Sequence, residues 1–164
     1  MVEMELVGVR VELPSNSPIV LLREVDGEHR TLPIFIGGPE ATAIAFALER
    51  VETPRPMTHD LMKDIFEALG VRLDRVVVTD LVDTTFYAEL HLVGPGGTQI
   101  VSSRPSDALA IAARTGAPIF AVEPVLDAAS YPPDVDAVEG VAPEDVVEQF
   151  REFIDNVNPE DFAS

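Results

Sequence analysis

The chain has no cysteine and no tryptophan among its 164 residues, and 11 basic residues stand against 29 acidic ones. Without cysteine there is no disulfide, no thiolate zinc site and no cysteine nucleophile. Without tryptophan the strongest base-stacking side chain is missing, although Phe, Tyr and Arg remain. A net charge of −18 is the opposite of the basic stripe expected of a tight nucleic-acid binder. A polyanionic ligand would therefore need a local arginine cluster or accompanying divalent cations. No apolar run reaches the length of a membrane span. The opening Met1-Val2-Glu3-Met4-Glu5 has neither the basic nor the apolar part of a signal peptide, which predicts a cytoplasmic protein without membrane contact.

What is present points to one domain with an appendage. Apolar content of 46% suits a globular core. The acidity is uneven: residues 123–164 hold 12 acidic groups and one basic group, a net of −11, which leaves −7 for residues 1–122. The reading is a body over 1–126, a Pro-, Asp- and Ala-rich linker over 127–142, and an acidic C-terminal helix over 143–164.

Within the body, Met4–Leu13 alternates as a strand. Pro18–Val25 and His29–Ile36 flank Asp26-Gly27, a hairpin signal. Gly37-Gly38-Pro39 then opens a helix through about Val51, with Pro39 at the first helical position and Glu40 at the positive helix end. That helix is apolar on nearly every side (Ala41, Ala43, Ile44, Ala45, Phe46, Ala47, Leu48), so it is expected to be buried, between the sheet and a partner copy. Pro54-Arg55-Pro56 is a stiff link, and Thr58 is the expected N-cap of a helix over His59–Leu69 stopped by Gly70. Its apolar set is Leu61, Met62, Ile65, Phe66 and Leu69. Val71–Leu81 and Phe86–Val93 alternate as strands about a turn at Asp83-Thr84. A Gly-rich turn leads to a short strand over Thr98–Ser102. Arg104-Pro105-Ser106-Asp107 opens an Ala-rich helix ended by Gly116, and Pro118–Val122 is the last strand. Strands in hairpins, interspersed with helices, predict an α+β fold with a mixed or antiparallel sheet, packed by Ala-rich helices.

Three blocks join a Pro/Gly-rich polar elbow to a helix: Leu32–Glu49, Pro54–Gly70 and Ser102–Phe120. A turn needs only Gly, Pro, Asn or Asp, yet these elbows also carry Arg55, Thr58, His59, Asp60, Arg104, Ser106 and Asp107. With the hairpin around Val78–Leu90, the blocks follow in an order and spacing that resembles the bifunctional nuclease domain family over roughly residues 1–130. The resemblance implies an α+β fold, homo-oligomers, most simply a dimer, and hydrolysis of RNA or DNA. The acidic tail lies outside it.

On this reading His59 is a general base or metal ligand and Asp60 a metal ligand, joined by Asp80 or Glu89, around Mg²⁺ or Mn²⁺. No organic cofactor is expected. The bland alternative is that Thr58 caps a helix, Asp60 complements its dipole and His59 packs. Asp60, Asp64 and Glu67 share one helical face, either collecting a cation or simply solvated beside Lys63. The helix start at Ser106 is a natural anion site that Arg104 can extend as a phosphate clamp, with Arg55 as a second. Equally, Asp107 fills the anion's place and Arg104 pairs with a carboxylate to lock the elbow to the hairpin. Tyr87, Glu89 and His91 share a strand face, toward solvent or toward a site. Gly37, Gly38 and Pro39 form a strand-to-helix turn that lacks the lysine and spacing of a P-loop, and Pro105 shapes its counterpart. The rival to a nuclease is a homo-oligomeric ligand-binding or interaction module whose elbows are structural.

Overall fold

The computed structural model describes residues 1–133. The expected helix after Pro143 and most of the expected linker lie outside the described residues. Seven strands form one mixed sheet: β1 (Val2–Glu12), β2 (Ser17–Glu24), β3 (Thr31–Phe35), β4 (Arg72–Val82), β5 (Thr85–Gly94), β6 (Gly97–Ser103) and β7 (Ile119–Ala121). Four helices among the described residues are α1 (Gly38–Leu48), α2 (Thr58–Ala68), α3 (Pro105–Thr115) and α4 (Glu123–Ala129). The fold is α+β, as the alternation of hairpins and helices predicts.

The sheet order is β3-β2-β1-β7-β4-β5-β6. It consists of two antiparallel meanders, each contiguous in sequence, sewn together by β7. That strand runs antiparallel to β1, with Met4 opposite Ile119, and parallel to β4, with Val78 opposite Ala121. Register follows the apolar alternation, since a one-residue slip would turn the core side chains to the other face. Val20, Leu22, Leu32 and Ile34 from one meander share a single core with Val76, Val78, Ala88 and Leu90 from the other. Ile44, Leu109, Ile111, Val125 and Leu126 fill that core from the helices.

α1 finds its cover inside the chain, against α3, β1 and β2, so its apolar circumference does not by itself require a partner. α2 differs from expectation more. Met62 and Phe66 pack toward the core, but Leu61, Ile65 and Leu69 are exposed. Thr58 is the first helical residue and not the cap. Met57 occupies that place in extended conformation, and its N–H donates to Asp60 Oδ2 at 3.0 Å. Asp60, the third helical residue, thus satisfies the N–H of the capping residue itself, which is the carboxylate half of a capping box.

The first hairpin is wider than Asp26-Gly27 alone implies. Glu24 N–H bonds Arg30 O at 3.0 Å, and the connection uses left-handed backbone at Gly27 (φ 88°) and His29 (φ 56°). The cause is Arg30, whose guanidinium reaches the buried Glu24, Glu123 at 2.9 Å and Asp127 at 3.2 Å. Arg30 holds the Glu24 carboxyl below its ordinary range, chiefly through that side-chain hydrogen bond. The two further carboxylates belong to α4, which the sequence reading did not foresee. Asp127–Ala129, read as linker, complete this helix, and beyond it Tyr131 pairs with Thr31 through two 2.9 Å backbone bonds. The tight turn at Asp83-Thr84 is as expected, with Asp83 at φ 57°. Gly116 ends α3 at φ 74°, a position where a Cβ would be strained.

Leu109, fully buried at the centre of α3, tests the shared core. Leu109→Ala is expected to lower the unfolding free energy by about 3 kcal/mol through lost burial and a residual cavity, read from the urea midpoint at unchanged m.

Candidate functional site

Three helices begin at one place, and their first turns are tied by a chain of charges. From α2, the His59 side chain meets Asp107 of α3, with Nε2 at 2.9 Å from Oδ1. The other oxygen of Asp107 accepts Arg104 Nε at 2.8 Å. Arg104 Nη2 then crosses to Glu40 Oε1 of α1, also at 2.8 Å. Gly37 makes room for this last contact, because a Cβ there would collide with the Glu40 carboxylate. A second link lies about two turns further along α3. Arg114, buried near the end of α3, donates Nε to Asp60 Oδ1 at 2.6 Å and Nη1 to Ala110 O at 2.9 Å.

Burial opposes the charge on Asp107, but hydrogen bonds from Arg104 and His59, with their positive charge, outweigh it and leave the carboxyl below its ordinary range. Asp60 is alike: burial is overcome by Arg114, by the Met57 N–H and by the nearby positive groups. An ionised Asp107 can only accept. His59 Nε2 is therefore the donor of this bond. Arg104 is fixed in its charged form by Asp107 and then Glu40.

One end of this chain opens on a cleft of about 430 Å³. Gly37, Arg104, Pro105 and Ser106 line one side, Phe35 and Ile36 the strand side, and Thr84, Thr85 and Phe86 the tip of the second hairpin. The Arg104 side chain is 65% exposed and Phe35 is 61% exposed. The cleft thus sets a guanidinium with free surface, an aromatic ring and small hydroxyl residues around the first turn of α3. That combination can hold a phosphate ester and stack an attached base.

The expected site residues divide. His59, Asp60, Arg104, Ser106, Asp107 and the Gly37-Gly38-Pro39 turn gather at the junction. Arg55 and Thr58 are exposed on the approach to α2. Asp80 turns onto the Leu81 N–H at 2.8 Å, and Glu89 faces His91 at 3.1 Å on the second hairpin. The expected ligands Asp60, Asp80 and Glu89 do not meet. Among the described residues no three His, Asp or Glu side chains form a group able to hold a metal. The junction carboxylates do not fit a divalent ion either, since each is occupied by arginine or histidine. Of the two readings of Arg104, its carboxylate partners are Asp107 and Glu40, not the hairpin.

Comparison with known proteins places the sequence in a family. A family model of the bifunctional nuclease domain fits residues 20–134. The chain belongs to the bifunctional nuclease domain family. An uncharacterized protein of Mycobacterium tuberculosis is 48% identical over 166 residues, covering 99% of this chain and 98% of its own length. Bifunctional nuclease 2 of Arabidopsis thaliana is 32% identical over 112 residues, 65% of this chain and 34% of the plant protein. Bifunctional nuclease 1 of Oryza sativa subsp. indica is 30% identical over 103 residues, 61% and 31% respectively. The domain thus spans about a third of these plant relatives.

Three members of the site were not singled out in the sequence: Phe35, Glu40 as a cross-helix partner, and Arg114. Glu40 and Arg114 had local roles that fully explained them, in a first helical turn and a last one. Their partners lie 64 and 54 residues away, a separation that no helical or strand period reveals.

The lowered Asp107 carboxyl gives a signed expectation. Its contribution to stability is full above the unfolded value near 3.8 and is lost as pH falls through the lower folded value. Asp107→Asn is expected to lower the urea midpoint at pH 7, and the gap to the unaltered protein should shrink below pH 4. A gap that stays constant down to pH 3 would show that the carboxylate charge contributes nothing.

Proposed function

We propose that this domain hydrolyses phosphodiester bonds of single-stranded RNA or DNA in the cleft at the start of α3. The observation that carries this is Arg104, charged, largely exposed, and oriented by two carboxylates at the mouth of a cleft that also presents Phe35. In the reaction a water oxygen attacks phosphorus, one P–O ester bond breaks, and the departing oxygen takes up a proton. Arg104 and the free N–H groups at the start of α3 favour the negative charge that grows on the phosphoryl oxygens. Phe35 stacks a neighbouring base. His59 does not line the cleft; it acts through Asp107, as a positioning residue that holds Arg104 in register. Asp60 does the same for α2 through Arg114. A polyanion brings Mg²⁺ or Mn²⁺ as counter-ions, which offsets the charge of −18.

The plant relatives' name, bifunctional nuclease, supports the reading. We further infer that the protein works in the cytoplasm as a homodimer. No helix among the described residues is long and apolar enough to cross a membrane.

One observation favours a second reading, a non-enzymatic ligand-binding or interaction module. Each arginine of the junction already has carboxylate partners, so the cluster is electrically complete without a ligand. The deciding experiment is cleavage of labelled single-stranded RNA and DNA by highly purified protein in Mg²⁺, in Mn²⁺ and in EDTA. Arg104→Ala is expected to reduce kcat/KM about 10²-fold or more by removing a charged contact to the transferring group, and to flatten the salt dependence of binding by about one phosphate contact. His59→Gln, which keeps a donor toward Asp107, should retain more activity than His59→Ala with an unshifted pH profile. No cleavage and no low-salt affinity in the unaltered protein would leave the binding-module reading.

A further inference from the structure

The two edges of the sheet are protected very differently. An edge strand offers unpaired N–H and C=O groups to any passing chain, and soluble proteins blunt it with charge, proline, bulges or a covering segment. The β3 edge is blunted twice. Pro33 removes a donor from its middle, and Tyr131 pairs with Thr31 at its start. The β6 edge has none of these devices. Gly97-Thr98-Gln99-Ile100-Val101-Ser102-Ser103 contains no charged residue and no proline. Its pairing with β5 runs without a register shift from Ala88 opposite Ser103 to Gly94 opposite Gly97. No strand among the described residues lies on its other side.

Its side chains are as open as its backbone. Ile100 is 58% exposed and Val101 43%, and adjacent residues point to opposite faces of the sheet. Val101 stands opposite the buried Leu90, on the helix-covered face, and Ile100 opposite His91 on the other. An incoming strand would therefore find one apolar contact above the sheet and one below it.

We propose that β6 is the seam of a homodimer, in which a second copy adds its own β6 antiparallel and joins two seven-stranded sheets into one. Charge selects this occupant. Two copies of an acidic chain repel wherever their carboxylates come face to face, and β6 is a seven-residue stretch free of charge. The other exposed apolar stripe, Leu61, Ile65 and Leu69 on α2, is interleaved with Asp64 and Glu67, which would face their own copies across a two-fold axis. Antiparallel self-pairing also keeps each residue on its own face: a register centred on Ile100 sets that side chain against its own copy on one face and brings the two Val101 side chains onto a diagonal on the other. The inference rests on the homodimer of the proposed function and not on its chemistry.

The absence of cysteine makes the test clean. Light scattering coupled to size exclusion should give a dimer for the unaltered protein. Ile100→Lys and Val101→Lys, each checked for an unchanged circular dichroism spectrum and urea midpoint, should raise the dissociation constant about tenfold or more by placing like charges across the seam. A short bismaleimide should cross-link Ile100→Cys into a dimer and leave Phe35→Cys, on the opposite edge, monomeric. A dimer that both lysine variants leave intact, or that cross-links only through Phe35→Cys, would overturn the β6 seam while leaving the homodimer standing. An unaltered protein that stays monomeric at its solubility limit would overturn seam and homodimer together. The cleavage assay is read independently of either.

Discussion

The Asp107 carboxylate is the interaction on which the site depends. One oxygen takes His59 from α2 and the other takes Arg104, which continues to Glu40 on α1. A single group therefore sets the mutual position of three helix starts that are far apart in sequence. Helix N-termini carry unpaired N–H groups and a positive dipole end. Drawn together without negative groups between them, three such ends would repel. Asp107, Glu40 and Asp60 supply the compensation, and their arginine partners keep the sum near neutral, so the junction is stable with or without a ligand.

The same arrangement separates support from contact. Histidine and the buried ends of the charge chain face inward, where packing fixes their rotamers. Only Arg104 and the first turn of α3 reach the cleft, opposite Phe35. A cation held by two carboxylates has little conformational freedom left to lose when a phosphate arrives. It has also surrendered part of its charge to those carboxylates. Tight, nonspecific capture of polyanions is thus disfavoured, in keeping with the acidity of the whole chain.

Much of this was legible before any coordinates, and the boundary of legibility has a physical cause. The α+β class followed from short-range signals: alternation in Arg72–Val82, proline at the start of α1 and α3, and glycine at the end of α3. The gathering of His59, Arg104 and Asp107 was visible only as three elbows of similar chemistry. Their meeting depends on sheet order, which no local period encodes. α4 escaped because seven residues with two large apolar members carry too little periodicity. Topology keeps the expected metal ligands apart: Asp80 and Glu89 sit on the second hairpin with partners of their own, while Asp60 is turned into α3. Leu61, Ile65 and Leu69 kept helical spacing yet stayed outside, because Met62 and Phe66 already satisfy the inward face of α2.

The placement of β7 has a consequence for how the body is made. Each meander consists of neighbouring strands and can form from local contacts as its residues leave the ribosome. Neither can reach the other until Ile119–Ala121 are available to lie between them. The piece that closes the sheet is three residues long and nearly the last of the body to be synthesised. Any chain stopped short of it would consist of two half-sheets, each with an additional open edge beside β1 or β4, and would be far more exposed to aggregation and to cellular quality control.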